Sequence, residues 1–553
     1  MKRIILLLFV LSVGIILSKA QISTPELPLS FSSENCSNDY DIVFFQKPNV
    51  EKLLAEDITR DKNGEFYRAG VAIQANLDKS NSGTWTQVQN GRIWRLKIVS
   101  YEAVGLALDI NNFYLPEGTN LFFYNESKTQ IFGPYTDFDN NEKNVFASDI
   151  ISDDNIIIEY FEPENFSVES SFNISDVSYL YRGEEKDIKY GESDACEVNI
   201  NCPEGDNWQD EKRGVAKIYL RVGTNYGYCT GSFVNNQLQD CTTYFLTADH
   251  CGQGASVSDL AWWRFYFNYE ADSCDNPPSS PSSNLTYSCE YVSSGGNGGS
   301  SGSDFYLVKL DRTTYPESWY IYFNGWDRST TASGGGVCIH HPAGDIKKIS
   351  TYTNTPTSST WGSVPNTHWR VYWATTVTNK GVTEGGSSGS PLFNNSSRII
   401  GTLTGGGSYC TASTYPDYYG KFSYHWESNG TTDDKKLKPW LDPNNTGITT
   451  LDGKSYNDCA TGIFNNDKSE NIINLYPNPT SNELYISLSG IDDQNEIHFS
   501  IFDINGRLCY EEKLLFSGNK KHLISTGNLL NGIYNLKMII KDQIFNEKFV
   551  IIK

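Results

Sequence analysis

Apolar and polar positions along the chain alternate over short stretches far more often than they recur at helical spacing. The runs Trp94-Arg95-Leu96-Lys97-Ile98-Val99 and Asn120-Leu121-Phe122-Phe123-Tyr124 come early. Lys217-Ile218-Tyr219-Leu220-Arg221-Val222 and Phe305-Tyr306-Leu307-Val308-Lys309-Leu310 lie in the middle. Leu484-Tyr485-Ile486-Ser487-Leu488, Ile497–Phe502 and Gly532-Ile533-Tyr534-Asn535-Leu536 come late. Successive side chains of a strand face opposite ways, so each run predicts a short, half-buried strand. Between them, the Pro- and Ser-rich stretch Asn276–Ser283 and the Gly-rich stretch Ser293–Ser303 predict surface loops. Asp434–Leu441 predicts one short helix ending near Pro443. The whole pattern predicts an all-β protein.

The first residues break the pattern. Met1-Lys2-Arg3, the apolar run Ile4–Leu17 and Ser18-Lys19-Ala20 read as a signal peptide over 1–20, cut before Gln21. The run is short for a membrane span, and no later stretch has enough consecutive apolar residues to cross a bilayer. Four further segments follow. Residues 21–189 read as a β-rich unit, 190–457 as a Gly-, Ser- and aromatic-rich unit with long loops, 458–470 as a polar linker, and 471–553 as a small β-sandwich.

Composition narrows the function. With 44 Lys and Arg against 66 Asp and Glu, the net charge is -22, which excludes the basic face a nucleic-acid binder needs. Ten of the 12 cysteines fall between Cys196 and Cys459. In an exported chain that density predicts disulfides rather than thiolate metal sites. His340 and His341 follow Cys338, but adjacent strand residues face opposite ways and do not readily share one ion. No metal and no cofactor is expected.

Two segments carry chemistry. In Phe245-Leu246-Thr247-Ala248-Asp249-His250-Cys251-Gly252 an apolar strand runs into a histidine. In Gly385-Gly386-Ser387-Ser388-Gly389-Ser390-Pro391 a serine lies among glycines. A serine hydroxyl needs a base to become a nucleophile, and the base needs an orienting carboxylate. Glycines leave room for backbone N–H groups to converge on a developing oxyanion. Asp304, opening the strand that follows a Gly/Ser loop, is the candidate carboxylate, with Asp311 at the far end as the alternative. Residues 21–189 contain no histidine and no such constellation.

The order His, Asp, Ser resembles the chymotrypsin-like double β-barrel. Asn201-Cys202-Pro203-Glu204-Gly205-Asp206, Cys229-Thr230-Gly231-Ser232, Asn324-Gly325-Trp326-Asp327-Arg328, Ile339-His340-His341-Pro342 and Gly381-Val382-Thr383-Glu384 resemble the bacterial lysyl endopeptidases over about 190–450. The resemblance implies His250 as general base, Asp304 as its orienter and Ser388 as nucleophile, with the N–H groups of Gly386 and Ser388 as oxyanion hole. It implies Asp417 as the anion that binds a substrate lysine, since Val382, six residues before the nucleophile, cannot serve. Trp361 matches a family tryptophan beside the site, whereas Thr404 stands where the family carries a histidine stacked on it. Thr404-Gly405-Gly406 would pair with extended substrate. The implied disulfides are Cys196–Cys410, Cys202–Cys274 and Cys229–Cys251; Cys241, Cys289, Cys338 and Cys459 stay unassigned. Ser387 cannot accept a new N-terminal ammonium, so activation is expected to follow removal of the 21–189 pro-domain by self-cleavage after Lys189, with Lys186 as the other candidate.

Leu475-Tyr476-Pro477-Asn478-Pro479-Thr480, Phe502-Asp503-Ile504-Asn505-Gly506-Arg507 and Leu530-Asn531-Gly532-Ile533-Tyr534 resemble the type A sorting domain of the type IX secretion system. The expected protein is thus a secreted, monomeric serine endopeptidase cutting after Lys. Its partners would be Lys-containing protein or peptide substrates and the type IX machinery. Two other readings stand beside it: a trypsin-like protease cutting after both Lys and Arg, and a catalytically inactive surface-binding protein.

Overall fold

The computed structural model describes residues 27–32, 39–164, 168–182, 193–332, 334–412, 414–460, 473–476, 480–488, 495–503, 507–516, 521–540 and 543–553. The signal peptide, Cys36, Lys186, Lys189, Pro477–Pro479 and Ile504–Gly506 lie outside them. Residues up to Lys454 form one compact unit and Ser455–Lys553 a second.

The alternating runs are strands. Trp94 lies in Gly91–Val99, which pairs antiparallel with Asn155–Pro163, and that strand with Asn120–Tyr124. This sheet packs on Gly105–Tyr114 and Ser171–Leu180 around Trp94, Leu96, Leu108, Phe123 and Ile158. One element departs from the strand reading: Val50–Lys62 is a 13-residue helix capped by the Asn49 side chain. Its Val50, Leu53, Leu54 and Ile58 recur at helical spacing, but only Val50 and Leu53 pack against the core.

The strands Ser171–Leu180 and Gly105–Tyr114 belong to an eleven-stranded sheet that continues without a break into Asn225–Phe233 and Val215–Val222. The joint is Tyr67–Asp78 against Asn225–Phe233, with Val71 opposite Asn225 and Tyr67 opposite Tyr228. Tyr244–Thr247 bridges Asn225–Phe233 to Tyr306–Leu310. A nine-stranded sheet follows, in which Pro391–Asn394, Arg398–Gly406, Asp417–Lys421 and His368–Val371 are successive neighbours. These are sheets rather than closed barrels, and the fold is all-β.

The expected helix over 434–441 is split into a 3-10 turn, Asp433–Lys435, and a helical turn, Lys438–Leu441. Pro439 has no N–H to give, which suits the first turn and not a helix interior. Disulfides join Cys196 to Cys410, Cys202 to Cys274 and Cys229 to Cys251. Cys241 and Cys459 are each disulfide-bonded, while Cys289 and Cys338 are buried free thiols, which removes every pairing that uses them.

The second unit stacks a three-stranded sheet and a four-stranded sheet around Leu484, Ile486, Ile497, Phe499, Ile501 and Leu536.

Candidate active site

His250 begins the helical turn Asp249–Gly252, where the strand Tyr244–Thr247 ends. Asp304 stands just before Tyr306–Leu310, the strand paired to it. The sheet therefore delivers both side chains to one edge. Asp304 Oδ2 accepts from His250 Nδ1 at 2.6 Å, and Oδ1 accepts from the His250 backbone N–H at 3.0 Å. Asp311 pairs instead with Lys143 and Ser288. Burial works against both charged forms, but the pairing prevails: Asp304 lies below the usual carboxylate range and His250 above the usual imidazole value.

Ser388 belongs to the loop before Pro391–Asn394 and is partly exposed. Its carbonyl accepts from Thr230 N–H at 2.8 Å, and Thr230 follows Cys229, which is bonded to Cys251 beside His250. Cys251 Sγ lies 3.8 Å from the Ser388 carbonyl and 4.0 Å from His250 Nε2, so serine and histidine meet across that disulfide. The Cys229–His250–Cys251 group offers no thiolate to a metal, because both sulfurs are spent on each other. Gly389 has φ +80°, and a Cβ there would meet Thr247 Oγ1 at 2.1 Å. Gly386 has φ +94°, which turns the chain so that its N–H and that of Ser388 donate to no group among the described residues. Two unspent N–H groups flanking a serine are what an oxyanion would need.

Asp417 is fully buried. Its carboxylate accepts from Trp373 Nε1 at 2.6 Å, Thr383 Oγ1 at 2.7 Å, Ser408 Oγ at 2.6 Å and Ser408 N at 3.2 Å. Burial raises its pKa against those hydrogen bonds. Asp417 opposes Gly406 on the neighbouring strand, and Thr383 leads into the Ser388 loop, so the carboxylate lies between the nucleophile segment and the Thr404–Gly406 edge. Trp361 packs over Gly405, where an added Cβ would meet Trp361 Cη2 at 3.2 Å.

Sequence reading missed three buried histidines, each held between two hydroxyls. Ser350 Oγ donates to Val382 O, so it accepts from His340 Nε2–H at 3.1 Å; His340 Nδ1 then accepts from Ser387 Oγ–H at 2.7 Å, and Ser387 Oγ accepts from Glu384 N–H. The same logic runs Asn429, Ser303, His425, Thr402 and the Asp304 carbonyl. His368 Nδ1–H donates to Thr367 Oγ1 and its Nε2 accepts from Thr404 Oγ1 at 3.0 Å. His368 also leans on Trp361, with ring centroids 6.2 Å apart. A histidine thus reaches Trp361 from another strand, and Thr404 is its partner. Burial lowers the pKa of His340 and His425 to about 3 and of His368 to about 4, so all three are neutral. Below His340 lies Glu197, whose carboxyl oxygens find no hydrogen-bond partner; burial and the neighbouring Glu384 push it well above the carboxylate range. The only signal in the sequence was the concentration of histidines here: five of seven fall between His250 and His425.

Residues 190–420 match the family model for the lysyl endopeptidase C-terminal domain, and residues 474–553 that for the secretion system C-terminal sorting domain. Among solved structures, the chain is similar to a Glu endopeptidase at 16% identity, covering 41% of this chain and 90% of that one, with TM-score 0.26. It is similar to protease Anisep from Arthrobacter nicotinovorans at 16% identity, covering 38% and 90%, with TM-score 0.26. It is also similar to the HtrA-type protease AlgW at 10% identity, covering 64% and 98%, with TM-score 0.27.

Proposed function

We propose that this serine endopeptidase, secreted or held at the cell surface, cleaves peptide bonds on the carboxyl side of lysine through an acyl-enzyme. Ser388 Oγ attacks the scissile carbonyl, and His250 takes its proton and returns it to the leaving amine. Asp304 holds the imidazole in the tautomer that leaves Nε2 free to accept, and stabilises the imidazolium that forms. The N–H groups of Gly386 and Ser388 receive the oxyanion. Water then releases the acyl group by the same route.

The observation that carries the lysyl reading is Asp417, a fully buried carboxylate between the Ser388 segment and the Thr404–Gly406 edge. A buried anion offsets the desolvation of a substrate cation. Its oxygens already accept four hydrogen bonds. That leaves no adjacent pair for the planar fork of a guanidinium. A lysine ammonium is a compact charge that can use Coulomb attraction and the spare lone pairs of Ser408 and Thr383.

The rest of the chain fits export. We assign 1–20 to a signal peptide, 21–189 to a pro-domain, 190–457 to the protease and 471–553, after the linker 458–470, to type IX sorting. Maturation follows a cut after Lys189.

The test is a digest of an unfolded protein of known sequence, read by mass spectrometry, with Ser388→Ala as control. Cuts confined to Lys-X bonds and absent from the variant are expected. Cuts after Lys and Arg alike would overturn the lysyl assignment. Inactivity of the processed protein, with no labelling of Ser388 by a fluorophosphonate, would favour a surface-binding role.

A further inference from the structure

The contacts that join 27–182 to the protease do not have the character of a removable plug. Tyr67–Asp78 is a full member of the protease sheet, paired with Asn225–Phe233, and Ala72 N–H adds a bond to Thr224 O at 2.9 Å. Asp109 is fully buried and takes two protease arginines: Arg264 at 2.8 Å, itself 0% exposed, and Arg221 at 2.7 Å. Arg264 also donates to Ser148 O at 2.6 Å and Leu108 O at 2.9 Å. Apolar cores are shared as well: Ala69 and Leu180 pack with Tyr219, Tyr226, Tyr228 and Tyr266. Departure of 27–182 would leave a buried guanidinium stripped of three of its partners, an open strand edge and a face of exposed aromatics.

The ends beside the expected cut are tied to their own sides. Arg182 is held by Asp61 at 3.2 Å and stacks over Tyr67 at 3.9 Å. Asp194 N–H donates to Glu384 Oε1 at 2.9 Å. A cut between residues 182 and 193 therefore breaks none of the contacts named above. Among the described residues, no hydrogen bond from 27–182 ends on the side chains of His250, Asp304, Ser388 or Asp417. One contact does reach the catalytic loop: a Cβ on Gly385 would meet Tyr67 Cδ2 at 2.6 Å, so the Tyr67 ring lies directly against the residue before Gly386.

We propose that 27–182 remains after processing as a non-covalent subunit of the active protease, completing its first sheet and buttressing the oxyanion loop through Tyr67. The partner of this protease surface is thus the chain's own N-terminal domain. The inference stands apart from lysine specificity, because it does not depend on what makes the cut.

The test uses the full chain as Ser388→Ala, with the recognition sequence of a second, sequence-specific protease replacing 184–189. After complete cutting, the two pieces are run by size exclusion and native mass spectrometry beside the uncut chain. One species of the uncut mass is expected at about 0.15 M and at about 1 M salt, separating only under denaturant. Two separate folded species at either salt concentration would overturn the proposal. In the active chain cut the same way, Tyr67→Ala is expected to lower kcat severalfold with KM nearly unchanged. An unaltered kcat would remove the buttressing role.

Discussion

Each group at the active site is set by its immediate partners. Asp304 bonds both the ring and the backbone of His250. Asp304→Asn keeps the shape but favours the wrong tautomer, and kcat is expected to fall by roughly 10⁴-fold. His250 must be neutral to act as base, and its pKa lies above the ordinary value because Asp304 outweighs burial. Activity should therefore fall with decreasing pH from a point above the usual histidine range, measured as the acid limb of kcat/KM. Asp417→Asn removes the buried anion and should reduce kcat/KM toward lysyl substrates by about 10²–10³-fold, with unfolding temperature read alongside to separate binding from stability. Ser387→Ala cuts the relay from Glu384 through His340 to Val382. A lost hydrogen bond of about 1 kcal/mol in a loop that aims two oxyanion donors should lower kcat about fivefold while KM holds.

At the scale of elements, the site is a meeting of sheet edges. Tyr244–Thr247 and Tyr306–Leu310 pair antiparallel, and that register brings His250 and Asp304 together across 54 residues of sequence. Pro391–Asn394 and Arg398–Gly406 bring the serine loop and the expected substrate edge side by side. Gly389 is the pinch point, with positive φ and a neighbour at 2.1 Å from any Cβ. Gly389→Ala should destabilise by about 2–4 kcal/mol through strain and overpacking, seen as a lower denaturation midpoint. The pattern in the sequence was enough for the strands, since alternation is a local signal. It was not enough for the helix Val50–Lys62, whose four apolar positions are sparse among nine polar or small ones.

The whole protease unit carries a pH signature. His340, His368 and His425 are buried and neutral, with pKa values of about 3, 4 and 3. Unfolded, they would titrate near 6.5. The unfolded state then binds more protons between those values, so stability falls as pH drops below about 6.5 and goes on falling toward about 4. His250, raised by Asp304, contributes with the opposite sign, and three groups outweigh one. The unfolding temperature should drop steadily between pH 7 and 4, and His425→Gln should flatten that slope even while lowering stability at neutral pH.

By itself the sequence determined what is local: the strand runs, the loops, the His, Asp, Ser order and the glycines around the serine. Those signals survive because periodicity and backbone strain act over a few neighbouring residues. Tertiary structure alone decided what depends on distant partners. Thr404 reads as a departure from a family pattern until His368 arrives from another strand to meet it. Cys289 and Cys338 look pairable until burial shows both to be lone thiols. Residues 21–189 read as a separate unit, yet Tyr67–Asp78 enters the protease sheet and Asp109 neutralises two of its arginines. Strand pairing and buried charge pairs are satisfied by whichever group folding brings alongside, and no short stretch of sequence names that group in advance.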